Sequence, residues 1–415
     1  MSFSKKLFAA TPHGTMLLVM LTLSLQWLFV VWTSKNEVNH KTWAKIISFP
    51  MWPPHADLLA ITEGWDETVA GRDPLREDQD PPLYNYPRLW LVGAKFGLRS
   101  SDAKWLGATW AMFFLAAICA TIAYAPGWTR LIVLIITTSP SVWLALERGN
   151  SDMLIFALLT PALIANPKPG WRDKWPSLVL LVGAMLKLFP AVCFAVNLNN
   201  LKKKSWQLTL GLSLIFILYI AATRHDVQAA LHKTAYGSHP AYGATIAAEK
   251  LSTYWKSLSH PVFSSPEWIS NKDHRQSVMR IIIMIMIAMA WRAGNKEYQG
   301  SAQRLQTNHQ IQLVRLFIAG AMIYISTFLI GTNWSYRLIF LIWTLPYLAQ
   351  KLYSVDWREK IWAICSISAL CIIFWQLASI SDQEVPFGNL LSVMLIYPLA
   401  HQIVILITYK HKKST

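Results

Sequence analysis

Asp57 follows Pro53-Pro54 and stands at the head of a run in which Leu58, Ile61, Trp65 and Val69 recur at helical spacing. A carboxylate fixed at that point can take a proton from an attacking hydroxyl, with Glu63 and Asp66 as reserves, or it can simply cap the helix. Further along, Glu147-Arg148-Gly149-Asn150-Ser151-Asp152 crowds charged and polar groups into one turn between two apolar runs. Arg148, Asn150 and Asp152 could hydrogen-bond a sugar, while Gly149 permits close backbone approach. The alternative is a solvated turn in which Asn150 caps the next helix. Lys187, in Met185-Leu186-Lys187-Leu188-Phe189-Pro190, is an ionisable group inside an apolar stretch. It could neutralise a phosphate or snorkel to the surface. Tyr336 and Arg337, in Asn333-Trp334-Ser335-Tyr336-Arg337, open another apolar run. A guanidinium there suits bidentate phosphate binding, or anchors the chain at an interface beside Trp334.

The elements that must carry these residues are membrane spans. Of the 415 residues 54% are hydrophobic and only 14% charged, well below the roughly 25% of soluble domains. The 21 tryptophans suit interfacial anchoring. Apolar runs at Thr15–Val31, Ala103–Tyr124, Arg130–Leu146, Asn150–Ala165, Trp206–Thr223, Val278–Ala293, Ile311–Ile330, Tyr336–Leu352, Ile361–Ile380 and Leu391–Tyr409 are each read as one span. The net charge of +16 is read as short basic loops that set orientation, not as a nucleic-acid surface. The four cysteines lack metal-ligand spacing and are read as packing residues. No constellation demands a metal or another cofactor.

Basic clusters at Lys5/Lys6, Lys168/Arg172/Lys174, Lys202–Lys204, Arg292/Lys296/Arg304, Arg358/Lys360 and Lys410/Lys412/Lys413 are all expected inside. A single crossing over Ser177–Leu201 would strand Lys202–Lys204 outside. The charge at Lys187 and the proline at Pro190 instead predict a broken helix, with two arms of about 12 residues, roughly 18 Å each, returning to the inner face. The expectation is an all-α polytopic protein forming a single transmembrane domain over 1–415. It has about twelve helices, two of them short, and both termini in the cytoplasm of a plasma (inner) membrane. Two long external segments remain. The first, 35–102, carries nine of the 22 acids between Glu37 and Asp80 and two interfacial helices, one starting at Asp57 and one at Asn85-Tyr86-Pro87. The second is 224–275.

Asp57 through Gly71-Arg72-Asp73-Pro74, Asn85-Tyr86-Pro87, Arg148-Gly149-Asn150-Ser151-Asp152, Leu186-Lys187-Leu188-Phe189-Pro190 and Tyr336-Arg337-Leu338-Ile339-Phe340 resemble, in order and spacing, the motifs of GT-C membrane glycosyltransferases of family 87. Members often carry Gly-Gln-x-Asn where this chain has Gly149-Asn150-Ser151-Asp152. The resemblance implies an inverting transfer of a monosaccharide from a polyprenyl-phosphate donor to a glycan or glycolipid acceptor on the external face. It implies an acid in the first external loop as base, here matched by Asp57. A lipid flippase or transporter, or a non-catalytic envelope-assembly partner, are the rival readings.

Overall fold

The computed structural model describes residues 12–47, 50–75, 84–165, 174–200, 203–233, 241–258, 271–298, 307–330, 332–375 and 386–408. The orienting charges Lys5, Lys6, Lys168, Arg172, Lys202, Arg304 and Lys410–Lys413 lie outside the described residues, as do 76–83 of the first long segment and 234–240 and 259–270 of the second.

The apolar runs form helices, as their length and composition dictate. In chain order these are α1 (Pro12–Thr33), α2 (Ala56–Val69), α3 (Ala103–Ala123), α4 (Thr129–Thr137), α5 (Pro140–Arg148), α6 (Ser151–Ile164) and α7 (Trp175–Leu186). A 3₁₀ segment, Phe189–Asn200, precedes α8 (Lys203–Ala222), α9 (Arg224–Lys233), α10 (Ala244–Leu258), α11 (Lys272–Tyr298) and α12 (Asn308–Ile330). A second 3₁₀ segment, Ser335–Thr344, runs into α13 (Leu345–Lys351), followed by α14 (Trp357–Trp375), α15 (Pro386–Met394) and α16 (Ile396–Thr408). Ala241–Tyr242 and Asn333–Trp334 pair antiparallel as β1 and β2. Among the described residues five helices are long and apolar enough to cross a membrane, or up to seven if each bent pair is one span. The protein is therefore an all-α membrane protein.

Several single runs in the sequence are broken in the fold. Arg130–Leu146 is two helices, α4 and α5, meeting at 49°. Ser139 is extended and Pro140 takes the first position of α5, where its missing N–H costs nothing. Tyr336–Leu352 is a 3₁₀ segment followed by a short helix that starts at Leu345 with Pro346 beside it. The run at Ser177–Leu201 breaks where its charge and proline predict. Helix α7 ends at Leu186, Lys187 is extended (φ −153°, ψ 117°), and the two arms pack against each other.

Helix α12 forms the centre. It packs on both 3₁₀ segments and on α6, and Phe317, Ile318, Ala319, Ile323 and Phe328 are fully buried. Gly320 lets the chain come close there, because a Cβ would stand 2.6 Å from the Phe340 carbonyl oxygen. Helix α2 buries Leu58, Ile61 and Trp65 against 88–102 and the start of α3, as its apolar face predicts. Val69, at its far end, is exposed. The second interfacial element is only a turn of 3₁₀ at Arg88–Leu91 and a turn of helix at Val92–Lys95.

Candidate functional site

The six charged and amide residues singled out by the sequence come from four distant segments, and the fold joins all of them in one cluster. Asp57 lies in the first turn of α2, yet its carboxylate does not cap that helix. The N-cap is His55, which makes no side-chain cap hydrogen bond. Asp57 Oδ1 instead accepts from Arg148 Nε at 3.0 Å and Nη2 at 2.6 Å, and Oδ2 accepts from Asn150 Nδ2 at 2.5 Å. Asn150 does cap α6, accepting the Asp152 amide at 2.8 Å, so it serves the helix and the cluster together.

On the far side of Asn150 stands Asp152. Its oxygens meet Lys187 Nζ at 2.5 Å and Arg337 Nε at 3.2 Å. Lys187 also donates to Ser151 Oγ at 2.7 Å and approaches Asn150 Oδ1 at 3.4 Å. Arg337 Nη1 donates to Asn333 Oδ1. The array therefore reads Asp57, Arg148 with Asn150, Lys187, Asp152, Arg337.

Aromatic faces wall the cations. Arg148 lies 5.0 Å from the centre of the Trp334 ring, Lys187 5.4 Å from Tyr86, and Arg337 4.6 Å from Phe189. Trp334 stacks parallel to the buried ring of Tyr336. Tyr86 donates its phenol to the Asp57 carbonyl at 3.3 Å, and burial followed by the charge of Asp57 pushes that phenol well up, so it remains a donor. Asp152 is completely buried, whereas the side chains of Asp57, Arg148, Lys187 and Arg337 keep 13%, 10%, 14% and 18% of their exposure. A ligand can reach those four but not Asp152.

This geometry alters some readings of the sequence. The turn at Glu147–Asp152 is not a solvated loop, because every residue in it with a charge or amide is buried. Lys187 does not snorkel; it turns inward to Asp152. Arg148 and Asp152, read as shaping a sugar pocket, are ion-pair partners of Asp57 and of Lys187 and Arg337 respectively. Asp66 accepts from the Ser100 amide, and neither it nor Glu63 joins the cluster.

A supporting layer, apart from Glu147 in the crowded turn, had no signal in the sequence. Glu147 Oε1 accepts from His40 Nε2 at 2.9 Å and from the Met51 amide at 2.7 Å, and the Glu147 carbonyl accepts the His55 amide at 2.8 Å. His55, at φ 63°, meets Ser34 Oγ through Nε2 at 2.9 Å. Burial, with His40 nearby, pulls its imidazole down to about 4. Gly107 and Gly149 leave room for it, since a Cβ on either would come within 2.5 and 2.7 Å of His55. This layer ties the segment bearing Asp57 to the turn bearing Arg148 and Asn150. From the second long segment, Tyr242 pairs with Asn333 in the β ladder and bonds Thr327 Oγ1 at 3.0 Å, bracing the backbone behind Arg337.

No group of His, Cys, Asp and Glu suited to a metal ion occurs among the described residues. No protein-family model matches the chain, and comparisons with curated proteins and with solved structures find no match.

Proposed function

We propose that the protein is a membrane glycosyltransferase that moves a monosaccharide from a polyprenyl-phosphate donor to a glycan or glycolipid acceptor. One observation carries the reading: two carboxylates and three cations from four separate segments meet in a buried, aromatic-walled cluster. Buried charge is costly unless used or well paired, and an intramembrane charge cluster is by default a functional site. Lys187 and Arg337 would hold the phosphate while its lipid tail lies between helices. Arg148 and Asn150 aim Asp57, whose carboxylate would accept the proton of the acceptor hydroxyl as that oxygen attacks the anomeric carbon. The phosphate leaves from the opposite face, inverting the configuration, while Lys187 and Arg337 hold it in line. In this reading the fold is GT-C-like, with about twelve helices in a plasma membrane, two of them the short arms of the broken hairpin. Both termini are then cytoplasmic and the cluster faces outward.

The experiment is sugar transfer in detergent from radiolabelled prenyl-phosphate sugars. Asp57→Asn keeps the size and a carbonyl that accepts from Arg148 but cannot take a proton, so activity should fall roughly 10²–10⁴-fold in folded protein. Near-normal transfer by that variant would remove Asp57 as base. A second reading, a lipid-phosphate flippase, is favoured by the bends and breaks at Thr138–Ser139, Lys187 and Thr223. It requires no transfer in detergent from any prenyl-phosphate sugar.

A further inference from the structure

Asp152 is the one charged member of the cluster that is fully buried, and it sits between the two cations that a ligand phosphate needs. It cannot swing aside. Its backbone is in the first turn of α6, its amide is held by Asn150, and its side chain is fully enclosed. An arriving oxyanion must therefore share Lys187 and Arg337 with Asp152 instead of replacing it. The donors left over are few. Arg337 has Nε on Asp152 and Nη1 on Asn333, and among the described residues nothing takes Nη2. Lys187 already meets Ser151 and Asp152. Of the two positive charges, Asp152 cancels one. The Asp57 carboxylate is answered by Arg148, and Glu147 faces away toward His40 and the Met51 amide.

We propose that Asp152 is a charge filter: it leaves this site one uncancelled positive charge, so a phosphodiester monoanion is accepted and a phosphate monoester dianion or a diphosphate is rejected. The inference rests on the reading of the cluster as a lipid-phosphate site and adds the selectivity. A second negative charge on the ligand would face the fixed carboxylate with no donor to answer it, and specificity commonly comes from such built-in repulsion.

The test measures binding of short-chain probes to purified protein in phospholipid-free detergent. The probes are farnesyl-phosphoryl-mannose, farnesyl phosphate, farnesyl diphosphate and phosphatidylglycerol. At pH 8 wild type should bind the mannose diester at least tenfold more tightly than the monoester or the diphosphate. Asp152→Asn should abolish or reverse that order, while Asp152→Glu should keep it. A variant-free arm guards against a misfolded Asp152→Asn protein. The monoester loses its second charge below a pKa of about 6, so on wild type its affinity relative to the diester should rise as pH falls from 8 to 5. The diester, which does not titrate, corrects for effects of pH on the protein itself, where Asp57, Arg148, Asp152, Lys187, Arg337, Tyr86 and Tyr336 surround the site. Equal binding of diphosphate and diester by wild type overturns the filter, as does an unchanged ranking in folded Asp152→Asn. If no probe binds, the lipid-phosphate reading falls and the filter falls with it. If phosphatidylglycerol binds as tightly as the mannose diester, the filter stands but the ligand is a bilayer phospholipid and the proposed donor is wrong.

Discussion

The pairing of Arg148 with Asp57 is the contact on which the proposed base depends, and it can be weighed by a double-mutant cycle. Both guanidinium contacts fall on Oδ1, at 3.0 and 2.6 Å, and the two side chains keep only 10% and 13% of their exposure. At an effective dielectric constant of about 20, unit charges about 4 Å apart attract by roughly 4 kcal/mol. Removing one partner of such a pair strands the other, at roughly 3–5 kcal/mol. Arg148→Met should therefore lose about that much unfolding free energy. Asp57→Asn should lose less, because its carbonyl still accepts from Arg148. Its amide would confront the Asn150 amide, which cannot flip while Asn150 Oδ1 caps the Asp152 N–H. The double variant strands neither charge. It should fall short of the sum of the single losses by about 1–3 kcal/mol. Unfolding in mixed detergent micelles, followed by tryptophan fluorescence, gives all three values. Additivity to within about 0.5 kcal/mol would show the two residues to be independent and would refute the view that Arg148 aims the base.

Arg337→Lys keeps the charge but loses the planar fork that reaches both Asp152 and Asn333. Affinity for a prenyl-phosphate sugar should drop in Arg337→Lys and further in Arg337→Ala, by roughly 1.5–3 kcal/mol; unchanged affinity in both removes Arg337 from the site. His55, held down at about 4 by burial, contributes stability that is complete above its ordinary value near 6.5 and is lost as pH falls from there through about 4, at most about 3 kcal/mol. His55→Gln should flatten the acid limb of a melting-temperature profile between pH 7.5 and 4, and an equally steep limb would contradict the assignment. Gly97 and Gly149 both have positive φ, but only a Cβ at Gly149 meets a neighbour, His55. Gly97→Ala should cost only strain of roughly 1–2 kcal/mol, whereas Gly149→Ala should cost more and also depress sugar transfer; equal losses in melting and transfer would deny His55 its supporting role.

What the sequence made legible follows from what is local. Helix-length apolar runs, the break at Lys187 and the buried face of α2 all depend on residues within a few turns of one another. The site residues were legible for a related reason, since a charge inside an apolar run has few places to go. Their pairings were not. Nothing in the spacing of positions 57, 148 and 152 says that Arg148 meets Asp57 while Asp152 meets Lys187 and Arg337. That is fixed by how α2, α6 and the two 3₁₀ segments pack. The layer formed by His40, Glu147, His55 and Ser34 is less legible still. Each of those residues would be unremarked alone, and only close approach at Gly107 and Gly149 brings them together.

The positions of the cluster's charges along their helices separate what folding explains from what it does not. Asp57 and Asp152 stand in the first turns of α2 and α6, Arg148 in the last turn of α5, and Lys187 directly after the last residue of α7. Each charge matches the dipole of its helix end, a gain of roughly 0.3–1 kcal/mol apiece. Those four would help order the helix ends even in a protein with no ligand. Arg337 is different. It lies in the first turn of its 3₁₀ segment, where the unpaired N–H groups repel a cation, and no acidic residue shares that turn. Its carboxylate partner among the described residues, Asp152, is already met by Lys187. A charge set against its local field is poorly accounted for by stability, which is what the proposed binding role of Arg337 would leave. On that argument the proposed anion site rests on Arg337 more than on the better-satisfied Lys187.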